Sequence, residues 1–175
     1  MPIEVASKRR KVTSSDAVVI DVTSRGPDPW VRFSPFYPHG NIPVPFSPGV
    51  VSSSVEGVWQ ALKVFDDTDV DPSKLSVTSM KGLKRTTRRF GPVRGHRAGL
   101  HGDHLLDYRT ARHSIYLPTY RWVLSNHLQD QVTQLSDLAR STRVVLLDYT
   151  TNGDPDDLSK PLSHAALIAA HCSNG

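Results

Sequence analysis

The stretch SSSVEGVWQALKVF, residues 52–65, decides how the rest of this chain is read. Ser52, Ser53 and Ser54 offer hydroxyls for a helix N-cap, and Glu56 falls in the first turn, where the helix dipole favours a carboxylate. Val55, Val58, Trp59, Leu62 and Phe65 recur at the i, i+3, i+4, i+7 spacing of a core-facing helical stripe, which predicts a helix over 52–65. Glu56, Gln60 and Lys63 recur at +4 and +7 and form a polar stripe directly beside it. A carboxylate next to an amide and an ammonium on the rim of a core can hold a polar ligand and position a water or proton. The same spacing also describes an amphipathic helix whose border residues simply face solvent.

Working outward, residues 1–15 read as a flexible basic tail, with the cluster Lys8-Arg9-Arg10-Lys11 and no periodic apolar partner. AVVIDV at 17–22 has the β-branched content and length of a buried strand. Residues 27–48 hold seven of the 13 prolines together with Trp30, Phe33, Phe36, Tyr37 and Phe46. Such a stretch is neither helix nor regular sheet, and its aromatics separate it from a disordered linker. It reads as an ordered loop, either the wall of a pocket or a layer over the core. Beyond it, 66–72 is an acidic turn and 104–116 a helix that Pro118 interrupts. A further helix carries Leu124, Leu128, Val132, Leu135 and Leu138. VVLLDY at 144–149 is a strand, Asn152-Gly153 a turn, and 161–171 a short apolar helix. The expected fold is α+β and mainly helical, a compact single domain over 16–175 with a few short strands.

Composition narrows the function classes. A chain of 175 residues with 38% hydrophobic content buries roughly 70% of its unfolded surface. No apolar run approaches the ~20 residues of a membrane span, and the start lacks the apolar core of a signal peptide. The single cysteine, Cys172, excludes an internal disulfide framework and fits a reducing, cytoplasmic setting. Charge is unevenly placed. Lys81, Lys84, Arg85, Arg88, Arg89, Arg94 and Arg97 carry +7 with no acidic residue among them, so the remainder of this +4 chain sums to −3. Such a segment points to an anionic ligand, a small-molecule phosphate or a nucleic-acid backbone, or else to a solvated basic loop.

The chemistry-bearing motifs are few. His96, His101 and His104 lie with Asp103 and Asp107 in GHRAGLHGDHLLD, but the spacing matches no established zinc pattern, and neither metal nor cofactor is expected. There is no GxSxG elbow, Walker loop or GxGxxG fingerprint. Carboxylate chemistry remains, with Glu56, Asp107, Asp148 and Asp154 as candidates. A carboxylate near aromatics and arginines suits the positive charge of a sugar oxocarbenium ion.

FSPFYP at 33–38, followed by SVEGVWQALK at 54–63, resembles the FSNFYP … SxEHxxQxxK signature of the NADAR (YbiA-like) proteins. Arg88-Arg89-Phe90-Gly91, Asp107-Tyr108-Arg109, the 124–138 helix and the 144–154 strand and turn come in that family's order. Pro35, Gly57 and Tyr108 depart from it, standing for asparagine, histidine and tryptophan. The resemblance implies a compact helical fold and an N-glycosidase that acts on a phosphorylated ribose or ADP-ribose. The implied substrates are an ADP-ribosylated nucleobase, free or carried on nucleic acid, or a ribosylaminopyrimidine phosphate. It further implies Glu56 as the catalytic carboxylate with Asp107 assisting, Gln60 and Lys63 ordering the site, and Trp59 binding substrate with them. Phe36 and Tyr37 would wall the base or ribose, Arg88 and Arg89 would hold phosphate, and Asn152 and Asp154 would close the site. The alternative expectation is a non-catalytic ADP-ribose or nucleic-acid binding module working through 81–97.

Overall fold

The computed structural model describes residues 2–12 and 15–175. In chain order the elements are β1 (Ile3–Ser7), β2 (Ala17–Asp21), a 3-10 turn (Trp30–Phe33), β3 (Ile42–Pro43), β4 (Val51–Ser52), α1 (Val55–Leu62) and β5 (Lys63–Phe65). A second 3-10 turn (Pro72–Ser76), α2 (Thr87–Phe90), β6 (Val93–Arg97), β7 (Leu105–Leu106) and α3 (Tyr108–Ala111) come next. A π-helical turn (Arg112–Tyr116) leads into α4 (Leu117–Asn126), α5 (Gln129–Ser141), β8 (Arg143–Asp148) and α6 (His164–Ser173). The architecture is α+β, with helices and, among the described residues, three small sheets. It divides into two compact units, residues 1–34 with 124–175, and residues 35–123, inserted in sequence between them.

The first unit is built on β8. Its run Val144, Val145 and Leu146 is fully buried, as a strand covered on both faces must be. β1 and β2 flank it, both parallel, with Ile3 opposite Val144 and Ala17 opposite Arg143. The segment expected as a tail is therefore corrected: residues 3–7 form an edge strand. Its short run hides beside a basic cluster, and the pairing partner lies some 140 residues away. Even the cluster is used, since Lys8 pairs with Asp21 and its backbone N–H donates to the Asp148 carbonyl at 2.7 Å. Met1, Thr13 and Ser14, also part of that expected tail, lie outside the described residues.

Asp148 closes β8 onto α6. Its buried carboxylate accepts from the Ser163 hydroxyl at 2.8 Å and the Ala165 N–H at 3.2 Å, and lies 3.0 Å from His164 Nδ1. His164 Nε2 lies 2.8 Å from the Val22 carbonyl oxygen, so one imidazole ties the end of β2 to the end of β8. Burial by itself raises the Asp148 pKa; the bond and charge of His164, with the Ser163 and Ala165 donors, outweigh it and hold the carboxyl below its ordinary 3.8.

Two helical expectations are corrected. The helix expected over 52–65 stops at Leu62, and Lys63–Phe65 is a strand. Pro118 interrupts nothing: helical structure runs from Tyr108 to Asn126, and proline sits just after the π turn. There the Leu117 N–H reaches back to the Arg112 carbonyl, a wide turn that re-registers the backbone where proline lacks its own donor. Among the described residues no helix is long and apolar enough to cross a membrane.

Because the folded pKa of Asp148 is depressed, its contribution to stability is full above pH 3.8 and disappears as pH falls through the depressed value. Replacing Asp148 with Asn should cost about 3 kcal/mol at pH 7 by leaving His164 and the α6 cap unmatched. Denaturant titration read by circular dichroism across pH 3–7 checks both the loss and its pH dependence.

Candidate functional site

The inserted unit organises its polar residues around α1. The Ser54 hydroxyl caps this helix by accepting from the Gly57 N–H at 2.9 Å, and Val55, Val58, Ala61 and Leu62 are buried. Glu56 and Gln60, expected on a polar stripe beside the core, are only 9% and 4% exposed, so the alternative of border residues that simply face solvent does not hold for them. The Gln60 amide Nε2 donates to Glu56 Oε1 at 2.8 Å, and Gln60 Oε1 accepts from the Arg85 backbone N–H at 3.0 Å. Both ends of this amide are thus fixed.

At the end of the helix the Ala61 carbonyl accepts from the Asp71 N–H at 2.8 Å, and Arg85 serves the carbonyls around it. Arg85 Nη1 donates to the carbonyls of Gln60 at 2.9 Å and Lys63 at 2.5 Å, and Nη2 donates to that of Asp69 at 2.6 Å. Orphaned carbonyls at a helix terminus need such partners. Lys63 consequently opens β5 in extended conformation and lies opposite His96 on β6.

The charges here are close and poorly solvated. Burial pushes the Glu56 carboxyl above its ordinary range, opposed by the Gln60 bond and the Lys63 and Lys84 ammoniums. Burial likewise pushes the Lys63 ammonium down; Glu56 opposes this, while Arg85 and Lys84 add to it. His96 is driven down to about 3 by burial and then by Lys63, so its imidazole is uncharged at neutral pH.

Beside this cluster lies a cavity of about 440 Å³ lined by Trp59, Lys63, Val93, Arg94, Gly95, His96, Asp107 and Tyr108. Trp59 lies 3.7 Å from the His96 ring, 6.1 Å from Tyr108 and 5.7 Å from Tyr116, between ring centroids. Asp107 caps α3, its Oδ1 accepting from the Thr110 N–H at 2.8 Å. Of the expected site residues, Trp59, Lys63 and Asp107 therefore share one cavity. Glu56 and Gln60 sit in the buried layer on the same helix, next to Lys63 but outside the cavity's lining.

The other expected residues are distributed more widely. Phe36 carries Lys84 Nζ at 5.7 Å over its ring, and Tyr37 packs against His39 at 4.7 Å. Arg88 and Arg89 are exposed on α2. Asn152 and Asp154 belong to the other unit. There the Asn152 amide donates to the Asp157 carbonyl at 3.1 Å, and its Oδ1 accepts from the Asp154 N–H at 3.0 Å. The proline-rich stretch buries Phe33, Ile42 and Val44, while Phe46 stays 55% exposed.

The basic segment is also corrected. Arg97 pairs with Asp69 at 2.9 Å and Arg94 with Asp66 at 3.4 Å, so the acidic turn supplies counter-charges that a linear scan of 81–97 misses. Lys81, Lys84, Arg88 and Arg89 remain exposed. Conversely His96, Arg94 and Tyr108 line the cavity without having been assigned there by sequence, although His96 and Tyr108 fall within motifs already singled out.

The chain belongs to a family of unknown function, DUF6939, whose model matches residues 5–168. The resemblance to the NADAR proteins is thereby overturned, since that is the family matched and no NADAR model matches. No curated protein and no solved structure matches the chain. Geometry explains one departure from the NADAR pattern. A Cβ on Gly57 would lie 2.7 Å from the Ser52 hydroxyl and 2.8 Å from the Lys74 carbonyl oxygen, so the histidine of that pattern has no room.

Gly57→Ala therefore tests the packing at α1. In an open helix this change gains about 1 kcal/mol, whereas here overpacking should make it destabilising by about 1–3 kcal/mol. The denaturation midpoint measures the sign directly, and a stabilised variant would contradict the close approach.

Proposed function

We propose that the inserted unit is an N-glycosidase, cleaving the bond between the ribose of a phosphorylated ribosyl or ADP-ribosyl group and a nitrogen base. One arrangement supports this reading: a buried Glu56 carboxyl, fixed by Gln60, beside a lysine that also lines an aromatic, cation-rimmed cavity. A carboxylate with raised proton affinity is a better base toward water at neutral pH, and its charge stabilises an oxocarbenium ion. In this role Glu56, behind the cavity lining, stabilises the oxocarbenium ion through its charge, Lys63 balances the carboxylate, and Asp107 assists from the cavity rim. Arg94, with the exposed Arg88 and Arg89, provides the positive field that a phosphate requires. The single cysteine suits a reducing compartment, and we place the protein in the cytoplasm. A purely binding role for 81–97 is less well supported, since Arg85 is buried on backbone carbonyls and Arg97 is paired with Asp69.

Mass spectrometry provides the assay, with ADP-ribosylated guanine and thymine DNA, NAD-derived nucleotides and a ribosylaminopyrimidine phosphate as substrates. Free base should accumulate with the wild-type protein. Glu56→Gln should fold normally and slow release by about 10²-fold or more. A normally folded Glu56→Gln protein that retains full activity would sink the mechanism.

A further inference from the structure

The cavity contains a chemical demand that hydrolysis as proposed leaves unused. His96 is 2% exposed, lines the cavity, and neither ring nitrogen has a well-formed hydrogen bond among the described residues, although the Trp59 backbone opposes the effects of burial and Lys63 on its ionisation. A neutral imidazole has one donor and one acceptor, and burying both unmatched is costly. Burial and the Lys63 ammonium hold the ring uncharged throughout the physiological range. A planar nitrogen heterocycle carries donors and acceptors along its edge and can meet whichever of the two imidazole nitrogens faces it.

The walls fit the same ligand. Trp59 and Tyr108 present aromatic surface, Tyr108 being 43% exposed, and every nucleobase has a face that stacks on such rings. Lys63 and Arg94 place two cations on the lining, Arg94 shared with Asp66 at 3.4 Å, and these are the groups that can hold a phosphate. Asp107 adds a carboxylate able to accept from sugar hydroxyls.

We propose that this cavity binds a nucleoside phosphate, its heterocycle against Trp59 and Tyr108 and its hydrogen-bonding edge on His96, with ribose hydroxyls at Asp107 and phosphate at Arg94 and Lys63. The choice of a nucleotide rests on the glycosidase reading, but binding requires no bond to be cut.

Calorimetric titration of the full chain with adenosine, guanosine, cytidine and uridine 5′-monophosphates, and with ribose 5-phosphate, tests the proposal. At least one nucleotide should bind about tenfold more tightly than ribose 5-phosphate. His96→Phe keeps a ring against Trp59 but removes both nitrogens, and should abolish that preference. Tyr108→Ala, at an exposed position, should weaken the nucleotide and leave ribose 5-phosphate unchanged. If His96→Phe fails to fold, the wild-type comparison and Tyr108→Ala decide the matter. Nucleotides that bind no better than ribose 5-phosphate, or not at all, overturn the proposal, as does a folded His96→Phe protein with the preference intact. Nucleotide binding without base release would sink the hydrolytic reading alone; base release without base-selective binding would sink this one alone.

Discussion

The guanidinium of Arg85 sets the geometry on which the inserted unit depends. It is buried over the rings of Phe65 and Phe90, 4.9 and 5.6 Å from their centroids, and reaches three carbonyls that belong to a helix end, a strand start and a loop. Without that donor set, the carbonyls of Gln60, Lys63 and Asp69 would lose this partner, and desolvating a lone carbonyl costs about as much as a hydrogen bond contributes. With it, the chain leaves the helix at Leu62 and turns Lys63 into a strand opposite His96. The same residue's backbone N–H fixes the amide that holds Glu56.

The consequence of that geometry is electrostatic. A carboxyl, an ammonium and an imidazole are confined to one poorly solvated region, and the ammonium alters the ionisation of both the others. Glu56 and Lys63 favour each other's charge, whereas Lys63 disfavours charge on His96. The ammonium therefore favours an ionised carboxylate and a neutral imidazole at once, giving one proton acceptor and one uncharged hydrogen-bonding ring within a single cluster. In the other unit, Asp148 with His164 pairs a carboxylate and an imidazole differently, as a clasp between β8, β2 and α6.

Local signals were legible wherever they are strong and short-ranged. The buried strand at 144–149, the strand at 17–22 and the capped start of α1 all arise from runs and caps within a few residues of each other. The short edge strand at 3–7 was not, because parallel pairing with β8 is a tertiary fact. Pro118 was misread as a stop because a π turn, which leaves no sequence mark, absorbs its missing donor. In the site, Glu56, Trp59, Lys63 and Asp107 could be singled out from the linear pattern. The role of Arg85 could not, since its partners lie 16 to 25 residues away and are backbone atoms. The apparent NADAR signature was misleading for a related reason. A motif of spaced residues carries over only if the backbone between them is alike, and at Gly57 a nearby carbonyl leaves no space for a side chain.

The central claim is that Glu56 is a buried carboxyl with raised proton affinity whose charge depends on Lys63. Carbon-13 NMR titration of the Glu56 side-chain carboxyl measures this without reference to any substrate. The predicted midpoint lies above the ordinary 4.5 and moves higher still in Lys63→Met, as the balancing charge is removed. A midpoint at or below 4.5, or one indifferent to Lys63, would contradict it.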